Sequence, residues 1–274
     1  MRATVALLLL ASFVAGACGS STTTSSPSST APSVSQQAVD LTIFAAASLS
    51  GVLTKVKDAY ETAHPGTTLT ISTDSSAALE TQIEQGAPAD VFLAADTTSP
   101  KKLVDAGLSA GDEVVFAGNK LTIVVPTDNP GGVTKPADLA KPGFKVIAAG
   151  DEVPITKYAK QLIENIARQP DAPVGFEAAY AANVVSREDN VKAVIGKIEL
   201  GEGDAGIVYL TDAEASTKVA TVDVPDAVNV PASYAGVIVG PSTNQEPARS
   251  FLGWLTSADG QAILAGFGFL PPVT

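Results

Sequence analysis

The chain has 274 residues, 45% of them hydrophobic, and a formal net charge of −12. That length and apolar content support one large or two modest folded domains. The acidity excludes a nucleic-acid surface and broad contact with anionic lipid, and any affinity for an anion must come from local donors.

Arg2 is the only charged residue before Asp40. After it come an apolar run from Ala3 to Val14 and small residues ending at Cys18, the single cysteine. The run is too short to span hydrocarbon and reads as an export signal. One cysteine excludes a disulfide or a cysteine-based metal site within the chain. Ala15-Gly16-Ala17-Cys18 resembles a lipoprotein processing site, in which Cys18 is acylated and becomes the mature N-terminus, although Ala15 replaces the usual leucine. The alternative is a plain secretory signal with an incidental cysteine. From Gly19 to Gln37 the chain is mostly Ser, Thr and Pro without charge. Such a stretch cannot offset its ordering entropy by burial and is expected to be a flexible tether. The expected order is therefore a signal over 1–18, a tether over 19–38 and a folded part from Val39.

In the folded part, Val39 to Ala46 is β-rich and ends among small residues. A helix is predicted over Ser50 to His64, with Val52, Val56 and Tyr60 on one face. A strand over Thr67 to Thr73, a helix from Asp74-Ser75-Ser76 to Gln85, a strand over Val91 to Ala94 and a helix over Pro100 to Ala106 follow. Lys120 to Val125 is the next strand. A second set of units has strands at Phe144 to Ala148, Ala205 to Tyr209 and Val219 to Val224, with helices at Thr156 to Ala167 and Asn190 to Leu200. Tyr234 to Val239 is a further strand, and helices near Ala248 to Thr256 and Asp259 to Ala265 end the chain. Alternation of this kind predicts an α/β fold with partly parallel sheets and covering helices.

Ligands of open α/β sheets bind beyond the carboxyl ends of strands. Three strand-to-helix junctions carry small or hydroxyl residues there, Ala45-Ala46-Ala47-Ser48-Leu49, Thr73-Asp74-Ser75-Ser76-Ala77 and Val153-Pro154-Ile155-Thr156, and a fourth helix start is Asp189-Asn190-Val191. A helix N-terminus offers unpaired N–H groups and a partial positive charge to an anion. Each start alone reads as a plain cap in preference to a ligand site, because Ser, Thr, Asp and Asn are the preferred cap residues, and the four gain weight only together.

Phe44-Ala45-Ala46-Ala47-Ser48-Leu49, Gly86-Ala87-Pro88-Ala89-Asp90-Val91-Phe92 and Ala94-Ala95-Asp96 together resemble the periplasmic molybdate-binding proteins of ABC transporters. So do Val153-Pro154, Lys157-Tyr158-Ala159-Lys160, Asp189-Asn190-Val191, Gly206-Ile207-Val208-Tyr209, Thr211-Asp212-Ala213 and Gly266-Phe267-Gly268-Phe269. The resemblance runs in order from Val39 to Pro272. It implies a two-lobed type II periplasmic-binding-protein fold, each lobe a mixed, mostly parallel sheet flanked by helices. Lobe one would comprise 39–119 and 235–274 and lobe two 120–234, joined by two crossover segments. It further implies capture of molybdate or tungstate for a permease by neutral donors: Ser48 and Ser76 through hydroxyl and N–H, Ile155 and Val191 through N–H, and Tyr209 through its phenol. Neither catalysis, nor a cofactor, nor a protein ligand to a metal is implied, and a monomer is expected. Sulfate or another tetrahedral oxyanion is the nearest alternative, and a non-catalytic surface lipoprotein the alternative of another class. A serine hydrolase is disfavoured, since no Gly-x-Ser-x-Gly elbow is present and His64 is the sole histidine.

Asp74 is the main departure, because a carboxylate facing the anion would repel it; it is expected to cap locally. Ser75 competes with Ser76 for the binding role. Lys157 and Lys192 read as solvated helix charges, His64 as a helix end, Asp90 and Asp96 as framework, Trp254 as packing, and Gly201-Glu202-Gly203-Asp204 as a turn.

Overall fold

The computed structural model describes residues 38–272, so the expected signal, Cys18 and nearly all of the expected tether lie outside the described residues. Strand β1 (Val39–Ala46) buries Leu41, Ile43 and Ala45 and passes through a 3-10 turn at Ala47–Leu49 into α1 (Ser50–Ala63). Val52, Val56 and Tyr60 bury at helical spacing, which lays one face of α1 on the sheet. His64 caps α1, its Nδ1 3.0 Å from the Tyr60 carbonyl and its ring stacked on that of Tyr60. Then come β2 (Thr67–Asp74), α2 (Ser76–Glu84), β3 (Val91–Ala94), α3 (Thr98–Asp105) and β4 (Val114–Asn119).

One residue later the chain enters the second sheet with β5 (Leu121–Pro126), buried along its whole length. Next are β6 (Val146–Ala149), α4 (Pro154–Ala167), α5 (Phe176–Asn183), β7 (Val184–Glu188), α6 (Val191–Glu199), β8 (Ala205–Tyr209), α7 (Leu210–Glu214) and β9 (Val219–Val222). The chain then returns to the first sheet with β10 (Ala232–Ile238) and closes with α8 (Gln245–Leu255) and α9 (Ala258–Gly266).

Each sheet has five strands, in the orders β2-β1-β3-β10-β4 and β7-β6-β8-β5-β9. In the first, only β10 runs against the others; in the second, only β5 does. The two sheets thus share one topology, and the reversed strand of each is the one that has just crossed over. This is the expected architecture of mixed, mostly parallel sheets flanked by helices.

Four elements have no counterpart in the sequence reading, among them the five-residue α7. Helix α5 buries only Phe176 and Asn183, so it carries no apolar stripe. Strand β7 is an edge strand with no fully buried residue. Strand β4 is short, and its pairing with β10 is set by a segment more than a hundred residues away.

Packing of α6 onto the second sheet depends on Gly206 in β8. A Cβ there would lie 2.9 Å from Val194 Cγ1 and 3.0 Å from the Ile147 carbonyl. Gly206→Ala is therefore expected to cost about 1–3 kcal/mol through overpacking. Thermal unfolding checks this, with a melting temperature lowered by several degrees as the expected result and an unchanged one as the contrary result.

Candidate functional site

The carboxyl ends of β1, β2, β6, β7 and β8 lead into one small space between the two sheets. A small cavity is lined by Ser48, Ser76, Ile155, Val191 and Tyr209, with Ser75 and Asn190 beside them. All five residues singled out in the sequence therefore meet at one place. None of the residues lining the cavity is charged.

Each donor is prepared locally. Pro154 opens α4 and has no N–H, so Ile155 carries the first amide of that helix. Asn190 caps α6 by accepting from the Ala193 N–H at 3.1 Å, which leaves the Val191 N–H without an intrahelical acceptor. Helix α2 starts at Ser76, whose N–H is likewise an end group.

The hydroxyls are oriented by what they accept. The Ala95 N–H donates to Ser76 Oγ at 3.0 Å, and the Tyr234 hydroxyl donates to Ser48 Oγ at 3.0 Å. Each serine is thereby left with its own hydrogen to give. The Tyr209 hydroxyl donates to the Ala95 carbonyl across a long 3.3 Å. Burial pushes the Tyr209 phenol well above its ordinary pKa, so it stays protonated and remains a donor.

Asp74 behaves as a local cap. Its Oδ1 accepts from the Ser75 N–H at 2.7 Å and lies 3.4 Å from Asn190 Nδ2 on the opposite sheet's side of the cleft. It lines a neighbouring pocket that shares Ser75 and Val153 with the small cavity, and not that cavity itself. With its N–H engaged by Asp74, Ser75 has less to offer an anion than Ser76.

Lys157 is exposed, as expected of a solvated helix charge, whereas Lys192 departs from that expectation. Lys157 Nζ donates to Thr98 Oγ1 at 2.7 Å, from α4 to the start of α3. Lys192, next to Val191, sits 2.8 Å from Asp212, whose side chain is fully buried. Asp90 accepts from the Thr42 N–H and from Ser242, and Asp96 accepts from the Ser99 N–H, as framework residues do. Trp254 packs edge-on against Tyr60. Among the described residues no cluster of three His, Cys, Asp or Glu side chains could hold a metal ion.

Sequence reasoning missed Tyr234 and Asn119, which stand behind Ser48. In the sequence both fall in the expected crossover segments, Gly118 to Leu121 and Ser233 to Tyr234, and nothing in their spacing points to the serine.

Two sheets of one topology that enclose an uncharged cavity between helix starts define a solute-binding protein. The chain matches the family of bacterial extracellular solute-binding proteins over residues 41–270 and belongs to it. It is 35% identical, over 97% of both chains, to the molybdate-binding protein ModA of Mycobacterium tuberculosis H37Rv. Among solved structures it is similar to the Azotobacter vinelandii periplasmic molybdate-binding protein, with a TM-score of 0.72 and 24% identity over 85% of this chain and 100% of that one. It is also similar to the sulfate-binding protein SubI from M. tuberculosis H37Rv, with a TM-score of 0.76 and 23% identity over 85% of this chain and 87% of that one. At those identities the two structures speak for the fold, which is that of periplasmic binding proteins.

Proposed function

We propose that the chain is the receptor of an ABC importer and captures molybdate, with tungstate as an equivalent cargo. The observation that carries this reading is the uncharged cavity where two serine hydroxyls, a phenol and helix-end N–H groups converge. The 35% identity to a protein named for molybdate binding supports the choice of ion. Ser48 and Ser76 would each give a hydroxyl and an N–H, Ile155 and Val191 their N–H groups, and Tyr209 its phenolic hydrogen. Neutral donors hold a dianion without a fixed counter-charge, which suits a receptor that must release its cargo.

In this reading 39–119 with 235–274 form one lobe and 120–234 the other. Closure of the lobes buries the ion and presents a joint face to the permease. The Lys157–Thr98 and Asn190–Asp74 contacts join the lobes in that closed arrangement, and the Tyr209 hydrogen, held by the Ala95 carbonyl across a long 3.3 Å, would turn from that carbonyl to the ion. The protein acts as a monomer, without catalysis or cofactor, on the outer face of the membrane. Acylation at Cys18 and the tether over 19–38 would keep it there.

Calorimetric titration with molybdate, tungstate, sulfate and phosphate tests the ligand. Tight binding of the first two with weak sulfate binding is the expected result. Tight sulfate binding would keep the receptor and change its cargo. No heat from any of the four, with the protein shown to be folded, would leave a structural surface lipoprotein.

A further inference from the structure

Ser48 is reached from behind by a chain of hydrogen bonds that starts at the backbone. The Lys120 N–H donates to Asn119 Oδ1 at 2.9 Å, which settles the orientation of that amide. Asn119 Nδ2 is then a donor, to Thr211 Oγ1 at 2.9 Å and to the Tyr234 phenol oxygen at 3.3 Å. Because its oxygen already accepts, Tyr234 turns its hydrogen to Ser48 Oγ at 3.0 Å. Ser48 in turn accepts, and its own hydrogen is left for the cavity.

A hydroxyl can donate or accept, and it settles whichever way its neighbours leave open. A primary amide cannot reverse roles without flipping, and here a flip would set Nδ2 against the Lys120 N–H. Asn119 is 1% exposed and Tyr234 fully buried, so water cannot stand in for either. The relay lies at both crossings: Asn119 ends β4, Tyr234 lies in β10, and Ala232 of β10 pairs with Asn119.

We propose that Asn119 and Tyr234 are positioning residues that lock Ser48 as a donor, and so make the site select a fully deprotonated oxyanion over one that keeps a proton. The proposal rests on the reading of the site as an oxyanion receptor. A protonated oxyanion must give its hydrogen to an acceptor, and a serine oxygen that already accepts from Tyr234 has one of its two lone pairs taken. Release of Ser48 from Tyr234 returns that lone pair and narrows the preference at this position.

The test is Tyr234→Phe, which keeps the ring packed against Phe116, Tyr209 and Phe269. Molybdate binding is measured by calorimetry at mildly alkaline pH, where phosphate is a dianion that retains one proton. Phosphate is measured by competition against molybdate. The expected result is a loss of about tenfold for molybdate with a smaller loss or a gain for phosphate, so that the ratio between them narrows. Asn119→Asp is the second variant, since it leaves Tyr234 in place but puts an acceptor where the amide donated. It adds the same charge against both dianions, and the same narrowing of the ratio is expected. Equal fractional losses for both ions in both variants, or no loss at all, would overturn the relay while the receptor stands. An unaltered protein that binds neither ion would overturn the receptor reading itself, and the relay's role with it.

Discussion

Removal of both cavity hydroxyls, in the Ser48→Ala, Ser76→Ala double variant, is expected to weaken molybdate binding by about two to four orders of magnitude. A hydrogen bond to a charged group contributes roughly 1.5–3 kcal/mol, and two independent donors are lost. The substitutions also leave the Ala95 N–H and the Tyr234 hydroxyl without the acceptors they now use. Stability should therefore fall as well, by about 1–3 kcal/mol for each orphaned buried group. Calorimetry and thermal unfolding of the same preparation separate the two effects. A folded double variant that binds molybdate within a few-fold of the unaltered protein would remove the serines from the site.

The second large effect concerns the charge pair beneath α6. Lys192→Met should destabilise the protein by about 3–5 kcal/mol at neutral pH, because it strands a buried carboxylate. Among the described residues the Lys192 ammonium, 2.8 Å from Asp212 Oδ1, is the one group that offsets the burial of this carboxylate, and Oδ2 has no partner. Burial raises the Asp212 pKa above its ordinary value, and Lys192 opposes that rise. With the folded pKa above the unfolded one, the protonated carboxyl contributes stability that is fully present below the unfolded pKa. That stability is lost as pH rises through the folded pKa. Without Lys192 the folded pKa climbs further, so the deficit of the variant should be small in acid and grow toward neutrality. Melting curves across that range check the sign, and a deficit independent of pH would contradict it. Asp212→Asn is the milder change, since the Lys192 side chain is about one-third exposed and can be solvated.

Much of the architecture was legible because its local signals are strong. Alternating strands and helices, the Ser75-Ser76, Pro154 and Asn190 helix starts and the Val191, Val194, Ile195, Ile198 face all lie within a few residues of what they determine. The meeting of the donors was legible only through the resemblance, since no spacing links Ser48 to Tyr209. Helix α5 and strand β7 were illegible because neither buries a continuous face. Lys192 reads as a solvated charge on its own helix, and only the packing of α7 beneath it brings Asp212 within reach. The Asn119–Tyr234–Ser48 chain is likewise tertiary: its members come from two crossovers and a strand end, and each alone reads as an ordinary polar or core residue.

The most direct measurement is a crystal structure of the molybdate-soaked protein, with anomalous diffraction recorded at the molybdenum edge. A single strong peak is expected in the cavity, with its oxygens in hydrogen-bond reach of the Ser48 and Ser76 hydroxyls, the Ile155 and Val191 N–H groups and the Tyr209 phenol. A peak elsewhere on the molecule, or an empty cavity in a closed and fully soaked crystal, would contradict the neutral-donor site.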